Sequence, residues 1–268
     1  TGSVKVISSQ NTNQTFVLTD DAGNTLQTWT GTDSIHIFSG LSNGIYRGKV
    51  IIAGTPSALS NPVELINPTV TDPGTLSGTV SEVCIGSTIG TLTLTDYVGS
   101  ILQWEKRVDG GTWTIISNQT SIYSETPSQS GTWDYRVLVQ NSTCPSAYSN
   151  IYSVIVDAAS VGGTLTATNT EICQGTSTGT MSLTGYIGNI LQWQRSNNGG
   201  STWTDIANTS DTYSEIIPTP GTYLYRVVVQ SGICTPAYSS TVSITVDPTT
   251  VAGTLTASNT QICEGSNT

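Results

Sequence analysis

Positive charge is scarce in this 268-residue chain: eight Lys and Arg face eighteen Asp and Glu, for a formal net charge of −10. A surface of that sign repels phosphate backbones and anionic lipid, so nucleic-acid binding is excluded. Charge of either sign is thin, at 10% of residues against about 25% in an average soluble domain. A single His, His36, leaves no means of building a His-based metal cluster or a nucleophile–His–acid set. No apolar run approaches the ~18 residues that would cross a bilayer, so membrane insertion is not expected. No stretch shows a helical period, and no acidic pair suited to glycoside hydrolysis is shared by the repeats described next. These absences argue against an enzyme and imply no cofactor.

Ser, Thr, Asn and Gly fill the space, as in secreted all-β proteins with many turns. Internal repetition dominates. Gly74-Thr75-Leu76-Ser77 recurs as Gly163-Thr164-Leu165-Thr166 and as Gly253-Thr254-Leu255-Thr256, at offsets of 89 and 90 residues. Leu102-Gln103-Trp104 matches Leu191-Gln192-Trp193, and Tyr135-Arg136-Val137 matches Tyr225-Arg226-Val227. Trp113 matches Trp203, Cys144 matches Cys234, and Cys84, Cys173 and Cys263 form one series. A unit of this length exceeds a solenoid coil or propeller blade and suits a self-sufficient sandwich domain. The expected organisation is a domain without Cys over 1–70, repeats over 74–162 and 163–252, and the start of a third over 253–268. Short small-residue joints should hold the units in an elongated, semi-rigid array. The chain reads as an internal piece of a longer protein.

Within each repeat, apolar and polar residues alternate: Met181/Leu183, Leu191/Trp193, Tyr225/Val227/Val229 and Val242/Ile244/Val246, with the same pattern in the first repeat. One apolar face per strand predicts two sheets packed over a shared core, with Trp104, Trp193, Tyr135 and Tyr225 inside it. Asn197-Asn198-Gly199-Gly200 and Asp109-Gly110-Gly111 read as hairpin turns. Ser196-x-Asn198-x-Gly200-x-Thr202-Trp203 resembles the structural Asp-box hairpin, with Asn in place of Asp. A Gly turn leading to an early Tyr, at Tyr46 and at Tyr223, resembles the corner Tyr of sandwich domains.

Five Cys in this spacing suit disulfides in an oxidising compartment. Pairing within repeats, Cys84–Cys144 and Cys173–Cys234, leaves Cys263 as the orphan, with its partner beyond Thr268. Pairing between repeats, Cys144–Cys173 and Cys234–Cys263, strands Cys84 instead. The first pattern is the expected one. Asp157 and Asp247 recur at the joints and raise the question of calcium, but one Asp per joint falls well short of six to eight oxygen ligands. Trp113/Trp203, Tyr148/Tyr238 and Tyr123/Tyr213 are candidates for a glycan-binding face. Their recurrence in both repeats is more economically read as a requirement of the fold.

The ordered series Cys173-Gln174-Gly175, Leu191-Gln192-Trp193, Gly199-Gly200-Ser201-Thr202-Trp203-Thr204, Tyr225 to Gln230, and Cys234-Thr235-Pro236-Ala237-Tyr238-Ser239 resembles the Ig-like repeats of giant Bacteroidota surface proteins. That resemblance covers about residues 74–268. It implies tandem immunoglobulin-like, PKD-like or fibronectin-III-like β-sandwiches, export by the type 9 secretion system, and an extracellular place at the cell surface. The implied role is a stalk in an adhesin such as those of gliding motility. Its partners would be neighbouring repeats of the same polypeptide, surface glycans or other surface proteins. The alternative is a carbohydrate-binding accessory module of a secreted enzyme. Asp33-Ser34-Ile35 resembles the O-glycosylation signal of the same phylum, which marks Ser34 as a candidate glycan site.

Overall fold

The computed structural model describes all residues except 1, 67, 258–260, 262–263 and 266–268. Every element among them is a strand. The chain divides into two compact units, one of residues 1–74 with 96–102 and 138–149, the other of residues 75–95, 103–137 and 150–268.

The N-terminal part carries β1 (Gly2–Ile7), β2 (Gln14–Asp20), β3 (Thr25–Gly31), β4 (Ile35–Leu41), β5 (Gly44–Ile52), β6 (Thr55–Pro56) and β7 (Val63–Leu65). One sheet is the pair β1-β4, and the other runs β3-β2-β5-β6 with β7 also on β5. Between them lie Val4, Phe16, Leu18, Phe38, Leu41 and Tyr46. His36 stacks on Trp29 at 4.4 Å between ring centroids and meets the edge of Phe38 at 4.7 Å, so it is a packing residue.

The first repeat comprises β8 (Thr75–Gly78), β9 (Glu82–Cys84), β10 (Leu92–Thr95), β11 (Ser100–Val108), β12 (Thr114–Ile116), β13 (Ile122–Tyr123), β14 (Gly131–Gln140), β15 (Ala147–Tyr148) and β16 (Tyr152–Asp157). The second repeats that order as β17 (Thr164–Ala167), β18 (Glu171–Cys173), β19 (Met181–Thr184), β20 (Asn189–Ser196), β21 (Thr204–Ile206), β22 (Thr212–Tyr213), β23 (Gly221–Gln230), β24 (Ala237–Tyr238) and β25 (Val242–Asp247). Each repeat stacks a three-stranded sheet, β13-β10-β8 or β17-β19-β22, on a six-stranded one. The larger sheets run β12-β11-β14-β16-β9 and β18-β25-β23-β20-β21, with β15 and β24 added on β14 and β23. The fold is therefore all-β, in tandem two-sheet sandwiches.

The alternation puts Leu165, Ile172, Met181, Leu183, Trp193, Tyr225, Val227, Val229, Ile244 and Val246 into one core. Trp104, Trp193, Tyr135 and Tyr225 are all fully buried. Each indole N–H finds a backbone acceptor, Trp104 Nε1 on Thr120 O and Trp193 Nε1 on Ser210 O, both at 2.9 Å. A buried donor left unpaired would cost about 1–3 kcal/mol. The corner Tyr is present as well. Tyr46 Oη donates to Ser42 O at 3.0 Å, and Tyr223 Oη to Thr219 O at 3.1 Å. In the first repeat a Trp takes this place, with Trp133 Nε1 donating to Gln129 O at 3.1 Å. The spacing of four residues is the same in all three.

Candidate functional site at the joint between repeats

Cys84 ends β9, a short strand parallel to β16, and the register sets it beside Asp157. That is where the chain leaves the first repeat. Cys234 lies in the second repeat, on the turn after β23. Its N–H donates to Ser231 O at 2.9 Å, and Gln230 Nε2 donates to its carbonyl at 3.0 Å. Cys84 and Cys234 are bonded, with Cα atoms 5.0 Å apart across a sequence separation of 150. The disulfide therefore links one repeat to the next.

This corrects the expected Cys84–Cys144 and Cys173–Cys234 pairs. Cys144 and Cys173 are free thiols, and Cys263 lies outside the described residues. The second repeat gives the physical reason. Cys173 pairs in register with Asp247, and Val246 pairs with Gly221, the first residue of β23. Cys234 follows the other end of that ten-residue strand. At ~3.3 Å per residue the two thiols sit about 30 Å apart, whereas a disulfide needs Cα atoms within about 7 Å. The Cys that ends β9 or β18 and the turn Cys that follows β14 or β23 occupy opposite ends of one sandwich, so a bond within a single repeat is out of reach.

The residues between the repeats hold the joint tightly. Asp157 accepts a bond on its carbonyl from Ile85 N at 2.9 Å and one on Oδ2 from Ile233 N at 3.0 Å. Ser160 Oγ accepts from Ser231 N at 3.0 Å. Gly232 has φ +45°, and a Cβ there would stand 1.8 Å from Asp157 Oδ2, so this turn requires glycine. A Cβ on Gly162 would stand 2.0 Å from Tyr238 O. Partial burial and the nearby Asp157 carboxylate raise the pKa of Glu82 above the ordinary range. Asp157 thus caps a backbone turn. Among the described residues no three His, Cys, Asp or Glu side chains gather where a metal could sit.

The candidate glycan platform is engaged internally. Arg226 stacks on Trp203 and on Tyr238, each at 4.0 Å to the ring centroid, and Arg136 stacks on Trp113 at 4.1 Å. Guanidinium groups thus cover ring faces that a sugar would need. Tyr123 and Tyr213 lean on Trp104 and Trp193, with centroids 5.6 and 5.5 Å apart. Burial and the Glu125 charge push the Tyr123 phenol up to about 12. Burial, then Glu125, drives Tyr135 higher still; burial, then the bond to Glu215, does the same for Tyr225. Tyr135 Oη donates to Glu125 at 2.9 Å, and Glu125 also pairs with Lys106. Glu215 joins Tyr225 and Arg195 in the same way. Sequence reasoning missed these acid bridges, although Glu125 and Glu215 keep the repeat spacing and a position ten residues before each buried Tyr.

The hairpin over 196–203 is closed by its own polar groups. Ser196 Oγ accepts from Gly200 N at 2.9 Å, and Asn198 Oδ1 from Thr202 N at 3.0 Å. Ser34 is half-buried between β3 and β4, and its carbonyl accepts from Ser8 N at 2.7 Å.

Residues 72–158 and 161–248 each match the domain of unknown function DUF8696. The chain belongs to the DUF8696 family. The disulfide therefore connects two consecutive DUF8696 domains. No curated protein matches the sequence. Among solved structures, the FN1–FN3 domains of chicken CNTN1 are similar at 13% identity and a TM-score of 0.30, over 90% of this chain and 97% of that one.

Proposed function

We propose that this chain is a spacer segment of a large secreted bacterial surface adhesin, exported by the type 9 route, whose linked DUF8696 domains hold a distal binding region away from the cell. The observation that carries the reading is Cys84–Cys234, a bond between domains rather than within one. A catalytic or glycan-binding module gains nothing from being tied to its neighbour, whereas a spacer gains a fixed joint. Such bonds persist in oxidising compartments, which supports an extracellular location. The guanidinium-covered rings of Trp113, Trp203 and Tyr238 weigh against the carbohydrate-module alternative.

Protease shaving of intact cells from the native source tests the reading. Peptides of residues 72–248 should be released to the medium, with Cys84 and Cys234 linked. A glycan array probed with the oxidised chain should stay blank. Saturable binding to a defined glycan, lost in Trp203→Ala, would transfer the function to the carbohydrate-module reading.

A further inference from the structure

The two sulfurs of the bridge between the repeats differ in access. Cys84, at the end of β9, is half-buried, whereas Cys234 is 2% exposed. Exchange requires a thiolate to reach one sulfur of the bond, so access decides which sulfur is attacked. An incoming thiol therefore meets Cys84. Its approach is also slowed by charge. Glu82 stands two residues before Cys84 on the same face of β9, and Asp157 is the register partner of Cys84 on β16. Both carboxylates oppose an anionic attacker.

Cys234 is held by the linker as well as by the bond. Its turn is tied down on both sides of Gly232: Ser231 N donates to Ser160 Oγ and Ile233 N to Asp157 Oδ2, each at 3.0 Å. Cys234 Sγ lies 3.2 Å from Ala158 O and 3.9 Å from Asp157 O. A thiol released there has a carbonyl acceptor beside it and stays where the bond left it. Cys84 is fixed from its own side. Ile85 N donates to Asp157 O at 2.9 Å, and Ser87 N to Cys84 O at 3.0 Å. None of these contacts runs through the S–S bond, so breaking it leaves the two sulfurs facing one another.

We propose that the joint is a resealing redox latch, with Cys84 as the sulfur that external thiols attack and Cys234 as the resolving thiol that expels them. The co-reactant is a small-molecule thiol such as glutathione. Its thiolate bonds to Cys84 Sγ, the Cys84–Cys234 bond breaks, and Cys234 leaves as a thiolate that takes up a proton. The product is a mixed disulfide on Cys84 beside a Cys234 thiol, and the number of disulfide bonds is unchanged. The return step is the reverse. Cys234 loses its proton, attacks Cys84 Sγ and displaces the glutathione thiolate. Because the linker holds Cys234 in place, this step is intramolecular and outruns a second glutathione attack on the adduct. A permanent cut therefore needs the repeats to separate as well as a thiol to arrive. The proposal rests on the geometry of the bridge and is independent of the cell-surface role.

The test treats the full chain with reduced glutathione in oxygen-free buffer, quenches early with acid, alkylates and maps the peptides. Reduced glutathione adds to a cysteine only by breaking a disulfide, so the free thiols of Cys144 and Cys173 stay unmodified and an adduct reports on the bridge. Glutathione is expected on Cys84, with Cys234 recovered as the alkylated thiol. After glutathione is removed by gel filtration, still without oxidant, the adduct should convert back to Cys84–Cys234. Ser160→Ala, which removes one tie on the turn, should slow that closure at least ~3-fold. Glutathione preloaded on exposed Cys173 should be released at least ~10-fold faster than the bridge is lost at the same glutathione concentration. An adduct chiefly on Cys234, an adduct on Cys84 that persists once glutathione is gone, an unchanged closure rate in Ser160→Ala, or bridge loss as fast as release from Cys173 each overturns the proposal.

Discussion

Removing the bridge by Cys84→Ser should weaken two domains at once. When one repeat unfolds beside a folded neighbour, the disulfide still pins Cys234 near Asp157. It closes a loop of roughly 75 residues in whichever repeat is open, worth about 4.5 kcal/mol in the chain-entropy model. Natural bridges commonly deliver about 2–4 kcal/mol. At ~4–8 °C per kcal/mol for a domain of this size, both repeats should melt at least ~8 °C lower. Calorimetry separates the contributions: in Cys84→Ser and in Cys234→Ser the transitions of both repeats should shift by similar amounts. Cys173→Ser should shift neither, and reductant should convert wild type into the variant. A loss confined to the first repeat in Cys84→Ser, or a peptide map linking Cys84 to Cys144, would refute the joint.

Glu82→Gln should raise thermal stability at neutral pH. The folded-state pKa of Glu82 is raised, so the folded chain binds this proton more tightly than the unfolded chain does. Stability therefore falls as pH rises from the ordinary carboxylate value through the raised one, and stays reduced above it. The gain from Glu82→Gln should vanish in melts below about pH 4. Tyr223→Phe removes only the bond to Thr219 O. It should cost about 1 kcal/mol, read as a lower midpoint for the second repeat alone.

Much of the architecture was legible in the sequence, because it depends on periodicity. Alternation at Tyr225/Val227/Val229 and at Val242/Ile244/Val246 gave the faces, and the recurrence of Trp104 and Trp193 gave the core. The Gly-x-Tyr signal located the corner at Tyr46 and Tyr223. It did not find Trp133, which does the same task with an indole N–H. The disulfide was misread because counting Cys per repeat ignores which end of a sandwich each one occupies. That information resides in the parallel pairing of β9 with β16, a long-range contact with no local signature. The signal available was strand length: nine residues from Tyr225 to Cys234 already carry the turn Cys away from the β18 end of the sheet. The stacking of Arg226 on Trp203 was likewise hidden, since β21 and β23 lie on opposite sides of β20.

The same bond also determines how far tension can extend the chain. Pulled between residues 72 and 247 with the bridge reduced, the two domains would pay out roughly 175 residues, about 600 Å of extended chain. With Cys84–Cys234 intact, the taut path runs from residue 72 to Cys84, crosses the bridge, and continues from Cys234 to Asp247. That path holds about 25 residues, or ~90 Å at full stretch, even if every strand of both sandwiches has come apart. Everything from Ile85 to Ile233 is slack that bears no load. Oxidation thus turns an extensible tether into a short strap, and reduction restores its length.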